Sequence, residues 1–166
     1  MKRIVVIGLG NFGSSVADNL ARKGHDVIAV DTHQEAVDRI ANRVTRAVVG
    51  DGTDPAVLGD VGAEGADAAV ISTGDDVTAS ILAVLAVQDL KIPEVHVKVI
   101  STPHARAVER MGVTSTVFPE RDMGKRLAES LGSTAVLNYV PLSPGFSLQE
   151  WPCPSSGSVA RSGTSI

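Results

Sequence analysis

Three glycines, Gly8, Gly10 and Gly13, stand between the apolar run Ile4-Val5-Val6-Ile7 and a helical stretch. A second apolar run, Val27-Ile28-Ala29-Val30, is closed by the carboxylate of Asp31. Strand, G-x-G-x-x-G, helix, strand and acid follow one another as in a dinucleotide-binding fingerprint. Gly8 permits the tight turn, Gly10 clears space for a pyrophosphate to approach backbone N–H groups, and Gly13 lets helix and strand pack closely. The helix that opens at Asn11 and Phe12 presents unpaired N–H groups and a partial positive charge to phosphates. Asp31, with Thr32 beside it, is placed to accept hydrogen bonds from a ribose diol.

Further candidates fall where strands end. Asp51, Gly52 and Thr53 follow the third strand and could line an adenine pocket; a turn and helix cap leading into Pro55 is the alternative reading. Thr73 and Gly74 follow the fourth strand and could pass beneath a nucleotide, whereas Asp75 and Asp76 read as capping residues of the next helix. Lys98, near the end of an apolar strand, would pair with a phosphate or reach water from an edge. Glu120 would approach phosphates through a divalent cation or simply cap a helix. The four histidines have no metal-ligand spacing, and no nucleophile elbow or paired-carboxylate arrangement is evident.

With 166 residues, the chain is about one domain. Aromatics make up only 3% of it, so the core must be built from Val, Ile, Leu and Ala, the usual content of a parallel sheet buried on both faces. A net charge of −4 argues against a nucleic-acid surface. The single cysteine, Cys153, excludes an intrachain disulfide framework. No apolar stretch reaches the roughly 18 residues that span a bilayer, so the chain is expected to be cytoplasmic and to meet a membrane only through a partner.

Strands are expected at Arg3–Ile7, Asp26–Val30, Arg46–Val49, Ala68–Ser72, Val95–Ile100 and Ser115–Phe118. Helices are expected at Phe12–Lys23, Gln34–Asn42, Pro55–Val61, Val77–Leu90, Pro103–Met111 and Asp122–Leu131. Their alternation predicts an α/β fold, a Rossmann-like doubly wound parallel sheet with its ligand at the carboxyl ends of the strands. The helix from Val77 is apolar nearly all round, which suggests that a second subunit covers part of it. Met123, Leu127 and Leu131 recur at i, i+4 and i+8 and could pair with another chain. Val136–Leu142 and Phe146–Trp151 read as two short strands, and 152–166 as a disordered tail.

Over residues 1–151 the chain resembles the RCK family, also called KTN or TrkA-N-like domains, which regulate potassium channels and Trk/Ktr-type transporters. The resemblance rests on Gly8-Leu9-Gly10-Asn11-Phe12-Gly13, Ala29-Val30-Asp31, Gly50-Asp51-Gly52-Thr53, Gly74-Asp75-Asp76, Val97-Lys98 and Pro119-Glu120-Arg121-Asp122-Met123-Gly124. Val136 to Tyr139, with Ser147-Leu148, is similar to Ktr-type subunits in particular. The resemblance implies a nucleotide-binding domain over 1–120, a crossover helix over 121–135 and the start of an incomplete C-terminal lobe over 136–151. It implies a homodimer that assembles into a ring, commonly octameric, on an integral-membrane potassium transporter subunit at the inner face of the membrane. NAD(H) or ATP/ADP is the implied ligand, with the glycine loop and Lys98 on phosphates, Asp31 on ribose, Asp51 to Thr53 by the adenine, and Glu120 near a phosphate-bound divalent cation. Asn11 departs from the family, because ATP-responsive members tend to carry arginine there; this keeps NAD(H) in play. The implied protein is a sensor without a reaction of its own, and a small NAD-dependent oxidoreductase or detached cofactor domain is the alternative.

Overall fold

A computed structural model describes residues 1–132, 138–143 and 146–150. The chain divides into two units, Met1–Phe118 and Pro119–Ile166. In the first, strands β1 (Arg3–Ile7), β2 (Asp26–Asp31), β3 (Arg46–Val49), β4 (Ala68–Ile71), β5 (Glu94–Lys98) and β6 (Ser115–Val117) alternate with helices. The helices are α1 (Asn11–Arg22), α2 (Gln34–Ile40), α3 (Pro55–Asp60), α4 (Val77–Asp89) and α5 (Thr102–Arg110). The strands form one parallel sheet in the order β3-β2-β1-β4-β5-β6. The chain runs outward from β1 to β3, then returns to lay β4 against the other side of β1. That reversal opens a crevice at the carboxyl ends of β1 and β4, where doubly wound sheets bind ligands.

Because successive strand residues face opposite ways, each central strand feeds two cores. Ile4, Val6, Val27 and Ala29 pack with Leu9, Ala17, Val37 and Ile40 on the α1 and α2 side. Val5, Ile7, Ile28 and Val30 pack with Leu58, Val84, Val87 and Val108 on the α3, α4 and α5 side. Burying each such side chain contributes about 1.5–3 kcal/mol, so the sheet centre anchors the loops above it.

The apolar helix is resolved into two faces. Ser80, Ala83, Val84, Ala86 and Val87 of α4 are buried, whereas Leu82 and Leu85 remain 44% and 47% exposed. Helix α4 ends in a Schellman motif: Lys91 N–H donates to Gln88 O and Ile92 N–H to Val87 O, with Lys91 at φ 58°. At the corresponding position after α1, α3 and α5 the chain places Gly24, Gly62 and Gly112, all at positive φ. Only a glycine avoids the Cβ penalty of that conformation. Lys91→Gly is therefore expected to stabilise the protein by about 0.5–1 kcal/mol, after the entropy a glycine adds to the unfolded chain. A higher urea midpoint at unchanged slope is the check; a lower midpoint would refute it.

In the second unit α6 runs over Pro119–Gly132, starting three residues before the expected Asp122. Proline suits a first helical turn, since its fixed φ is helical and its missing N–H would have no intrahelical partner. Met123, Leu127 and Leu131 are exposed on α6. Strands β7 (Asn138–Ser143) and β8 (Phe146–Glu150) form an antiparallel pair whose register slips between Pro141 and Ser143, where proline supplies no ladder donor. The expectations for Val136, Leu137, Trp151 and the 152–166 tail lie outside the described residues.

Candidate functional site

A cleft of about 590 Å³ opens at the carboxyl ends of β1, β2, β3 and β4. Its floor is the turn that leaves β1. Gly8 sits at φ +88°, and its N–H donates to Val30 O at 2.8 Å. A Cβ on Gly8 would fall onto the carbonyl of Ser72, and one on Gly13 onto the carbonyl of Gly8. Both glycines are thus required by the protein's own packing. Gly10 differs, because a Cβ there would meet nothing within 4 Å. The space above Gly10 belongs to the cleft.

Helix α1 begins above this floor with Gly10 as N-cap and no side chain capping its first turn. Helices α3, α4 and α5 are capped, by Asp54 on Ala56 N–H at 2.8 Å, Asp76 on Ala79 N–H at 2.8 Å and Ser101 on His104 N–H at 3.3 Å. The N–H groups of the first turn of α1 have no such acceptor, which is the arrangement that receives a phosphate.

Asp31, at the end of β2, holds the loop and faces the cleft together. Its Oδ2 accepts from Leu9 N–H at 2.6 Å; its Oδ1 accepts from His33 N–H at 2.8 Å and lies 3.0 Å from His33 Nδ1. Burial pushes this carboxyl up, but the Leu9 and His33 donors outweigh it and hold Asp31 below the usual carboxylate range. It is ionised at neutral pH and only accepts, as a ribose diol requires. A carboxylate has about four acceptor sites, and three are engaged. The His33 ring is 82% exposed and is the contact that a ribose would displace most easily.

Asp51 Oδ1 accepts from Thr53 Oγ1 at 2.7 Å and Thr53 N–H at 2.9 Å, and these bonds hold its carboxyl below the usual range. Beside them, a Cβ on Gly52 would strike the Ile7 side chain, so this glycine also serves packing. After β4, Thr73 Oγ1 donates to Asp76 O at 2.9 Å and Gly74 takes φ +65°.

Of the residues singled out in the sequence, Gly8, Gly10, Asp31, Thr32, Asp51, Gly52, Thr53, Thr73 and Gly74 line the cleft together. Asn11, Phe12 and Gly13 form the first turn of α1 and are not among the described lining residues. Lys98 ends β5, also outside that lining. Glu120 lies in the first turn of α6, in the second unit. Among the described residues, no group of three or more His, Cys, Asp or Glu is gathered to hold a metal.

The sequence reading missed His33, Ser72, Thr78, Ala79 and Leu82, which also line the cleft. Asp76, read as a cap, caps α4 and lines the cleft as well. Their signal was positional: residues just after β2 and β4, and the first turns of α4, come to the same sheet edge as the glycine loop. The arrangement fits an adenosine ligand with a pyrophosphate: a carboxylate for the diol, an uncapped helix start for phosphate, and a glycine whose missing side chain leaves open space.

Comparison with known proteins agrees with this geometry. The chain is 37% identical to Ktr system potassium uptake protein A of Bacillus subtilis over 149 residues, covering 90% of this chain and 67% of that protein. Its fold is similar to GsuK bound to ADP, with TM-score 0.65 and 22% identity over 78% of this chain and 33% of that one. It is equally similar to the GsuK channel bound to NAD, with TM-score 0.65 and 18% identity over 84% and 25% of the respective chains. The family profile of the TrkA-N domain matches residues 4–119, and the chain belongs to that family.

Proposed function

We propose that this chain is the nucleotide-sensing part of a regulatory subunit that gates a membrane potassium-uptake system. The observation that carries the reading is the uncapped start of α1 over a glycine floor, with an ionised Asp31 one strand away. The Ktr relative supports the potassium system, and the ADP and NAD complexes of GsuK support adenosine ligands. Adenosine sits over Asp31 to Thr53, with its phosphates on the start of α1. Lys98 on the phosphates, and Glu120 by a phosphate-bound divalent cation, remain assignments by family resemblance. Residues 121–135 act as crossover helix and 136–151 as the opening of a further lobe.

Gating is a population shift. Two shapes of a homo-oligomeric ring pre-exist, and ligands that prefer one shape bias the pore above it. A tenfold preference needs only about 1.4 kcal/mol, so small differences at the phosphates suffice. The ring sits on the inner face of the membrane through its transporter partner, and the chain performs no reaction itself.

Identification by mass spectrometry of a co-purified adenosine nucleotide, or micromolar binding in calorimetry, is the expected result. Absence of binding would refute the reading, and turnover of NADH with a substrate would make the chain an oxidoreductase. Leu85 is exposed on α4 and is not among the described residues lining the cleft. Leu85→Asp should therefore reduce the ring to smaller species while leaving nucleotide affinity within about twofold, since the new charge lies away from the ligand. Light scattering that shows unchanged mass would remove α4 from the assembly surface.

A further inference from the structure

Helices α4 and α5 share one buried polar contact. Ser80 Oγ and His104 Nε2 lie 3.0 Å apart, with Ser80 fully buried and His104 only 3% exposed. The buried faces that carry them are otherwise apolar: Ala83 and Val84 follow Ser80 by one turn, and Val108 follows His104 by one turn. Among the described residues, Nδ1 of His104 is the one buried side-chain nitrogen or oxygen without a hydrogen-bond partner. No acid, lysine or arginine among them is buried with the pair. Asp76 and Asp89 about α4 are exposed, as are Arg106, Glu109 and Arg110 on α5. On β5, Glu94, His96 and Lys98 alternate with the buried Val95 and Val97 and so take the other face of the sheet. Strands β4 and β6 carry no titratable side chain.

This setting suits a neutral imidazole. With its proton on Nε2, the ring donates to Ser80 Oγ and leaves only the Nδ1 lone pair unmatched. A second proton, on Nδ1, would bury a donor without an acceptor and a positive charge without a counter-ion. We propose that His104 and Ser80 form a proton-sensitive latch between α5 and α4, closed near neutral pH and released by acid. Thr78 and Ala79, directly before Ser80 in α4, line the cleft, so release of the latch reaches the cleft wall. Burial pushes the His104 imidazole below its ordinary value of about 6.5. A lowered folded value means that the latch contributes fully above about pH 6.5 and that this contribution is lost as pH falls below it.

The test is amide hydrogen exchange of the full chain in its native assembly, read by mass spectrometry and corrected for the pH dependence of the intrinsic rate. Between pH 7.5 and 5.5, protection of the α5 amides should fall by about tenfold, the ratio by which an ordinary imidazole favours its proton at the lower pH. Protection at the first turn of α4 should fall with it. His104→Gln keeps a side-chain amide that can donate to Ser80 Oγ but does not titrate, so its protection should change by no more than about twofold. An equal fall in both proteins overturns the latch, and a fall confined to α5 overturns its link to the cleft wall. Deuterium exchange at the imidazole C2 carbon reads His104 in the unaltered protein and decides even if His104→Gln fails to fold. Titration below the ordinary imidazole value supports the latch; titration at or above about 6.5 overturns it.

Discussion

Gly13→Ala is expected to cost about 3 kcal/mol or more of stability and to abolish nucleotide binding. Inside a helix the same change ordinarily gains about 0.5–1 kcal/mol, because alanine is the better helix former. The sign reverses here because the added Cβ would land on the carbonyl oxygen of Gly8, which is backbone and cannot rotate away. Gly8 has little freedom to retreat. Its N–H is bonded to Val30, and the Ser72 carbonyl fills the space that a Cβ on Gly8 would need. Helix α1 would have to shift off β1, opening the layer formed by Leu9, Ala17 and Ile4. Gly10→Ala is the matched control, since its Cβ meets only open space. That change should lower stability by no more than about 1 kcal/mol, yet weaken binding by placing a methyl group where the proposed ligand's pyrophosphate would lie. Urea unfolding read beside calorimetric titration separates the two. A Gly13→Ala protein as stable as the parent would refute the close-approach argument.

Asp31→Ala should weaken nucleotide binding by about 1.5–3 kcal/mol, the worth of hydrogen bonds to a charged group. The structure adds a second loss, because Asp31 also accepts the Leu9 N–H and so ties the glycine loop to the end of β2. The variant should therefore be less stable even without ligand. The carboxyl is held below its unfolded range, so its stabilising contribution is complete above the ordinary carboxylate range of about 4. That contribution is lost as pH falls through the lowered folded value. Asp31→Asn should accordingly show a shallower loss of stability on acidification than the parent. Parallel acid-unfolding curves for the two proteins would mean that the carboxylate does not brace the loop, and unchanged nucleotide affinity in Asp31→Ala would mean that the diol is held elsewhere.

The parallel sheet was legible because its strands are apolar on both faces, a pattern that only layers of helix on each side can bury. The glycine spacing was legible because its meaning is local: turn, approach and helix start lie within six residues. Leu82 shows the limit. Periodicity marked α4 as apolar all round, but which leucines face outward depends on what the sheet and α5 cover. Lys91 shows another, since a helix end that normally asks for glycine gives no sign when lysine is forced into the same left-handed turn.

Local sequence alone determined the order of elements, the dinucleotide fingerprint and the acid that ends the second strand, because each rests on residues close in the chain. Only the tertiary structure decided that Asp31 braces the loop it serves, and that His33, Asp76 and Leu82 share the cleft. Those relations join residues tens of positions apart, and they exist only once the sheet reverses its order between β1 and β4 and brings the strand ends to one edge. The physical reason is that charge and exposure belong to a place in space, and a chain acquires places only by folding.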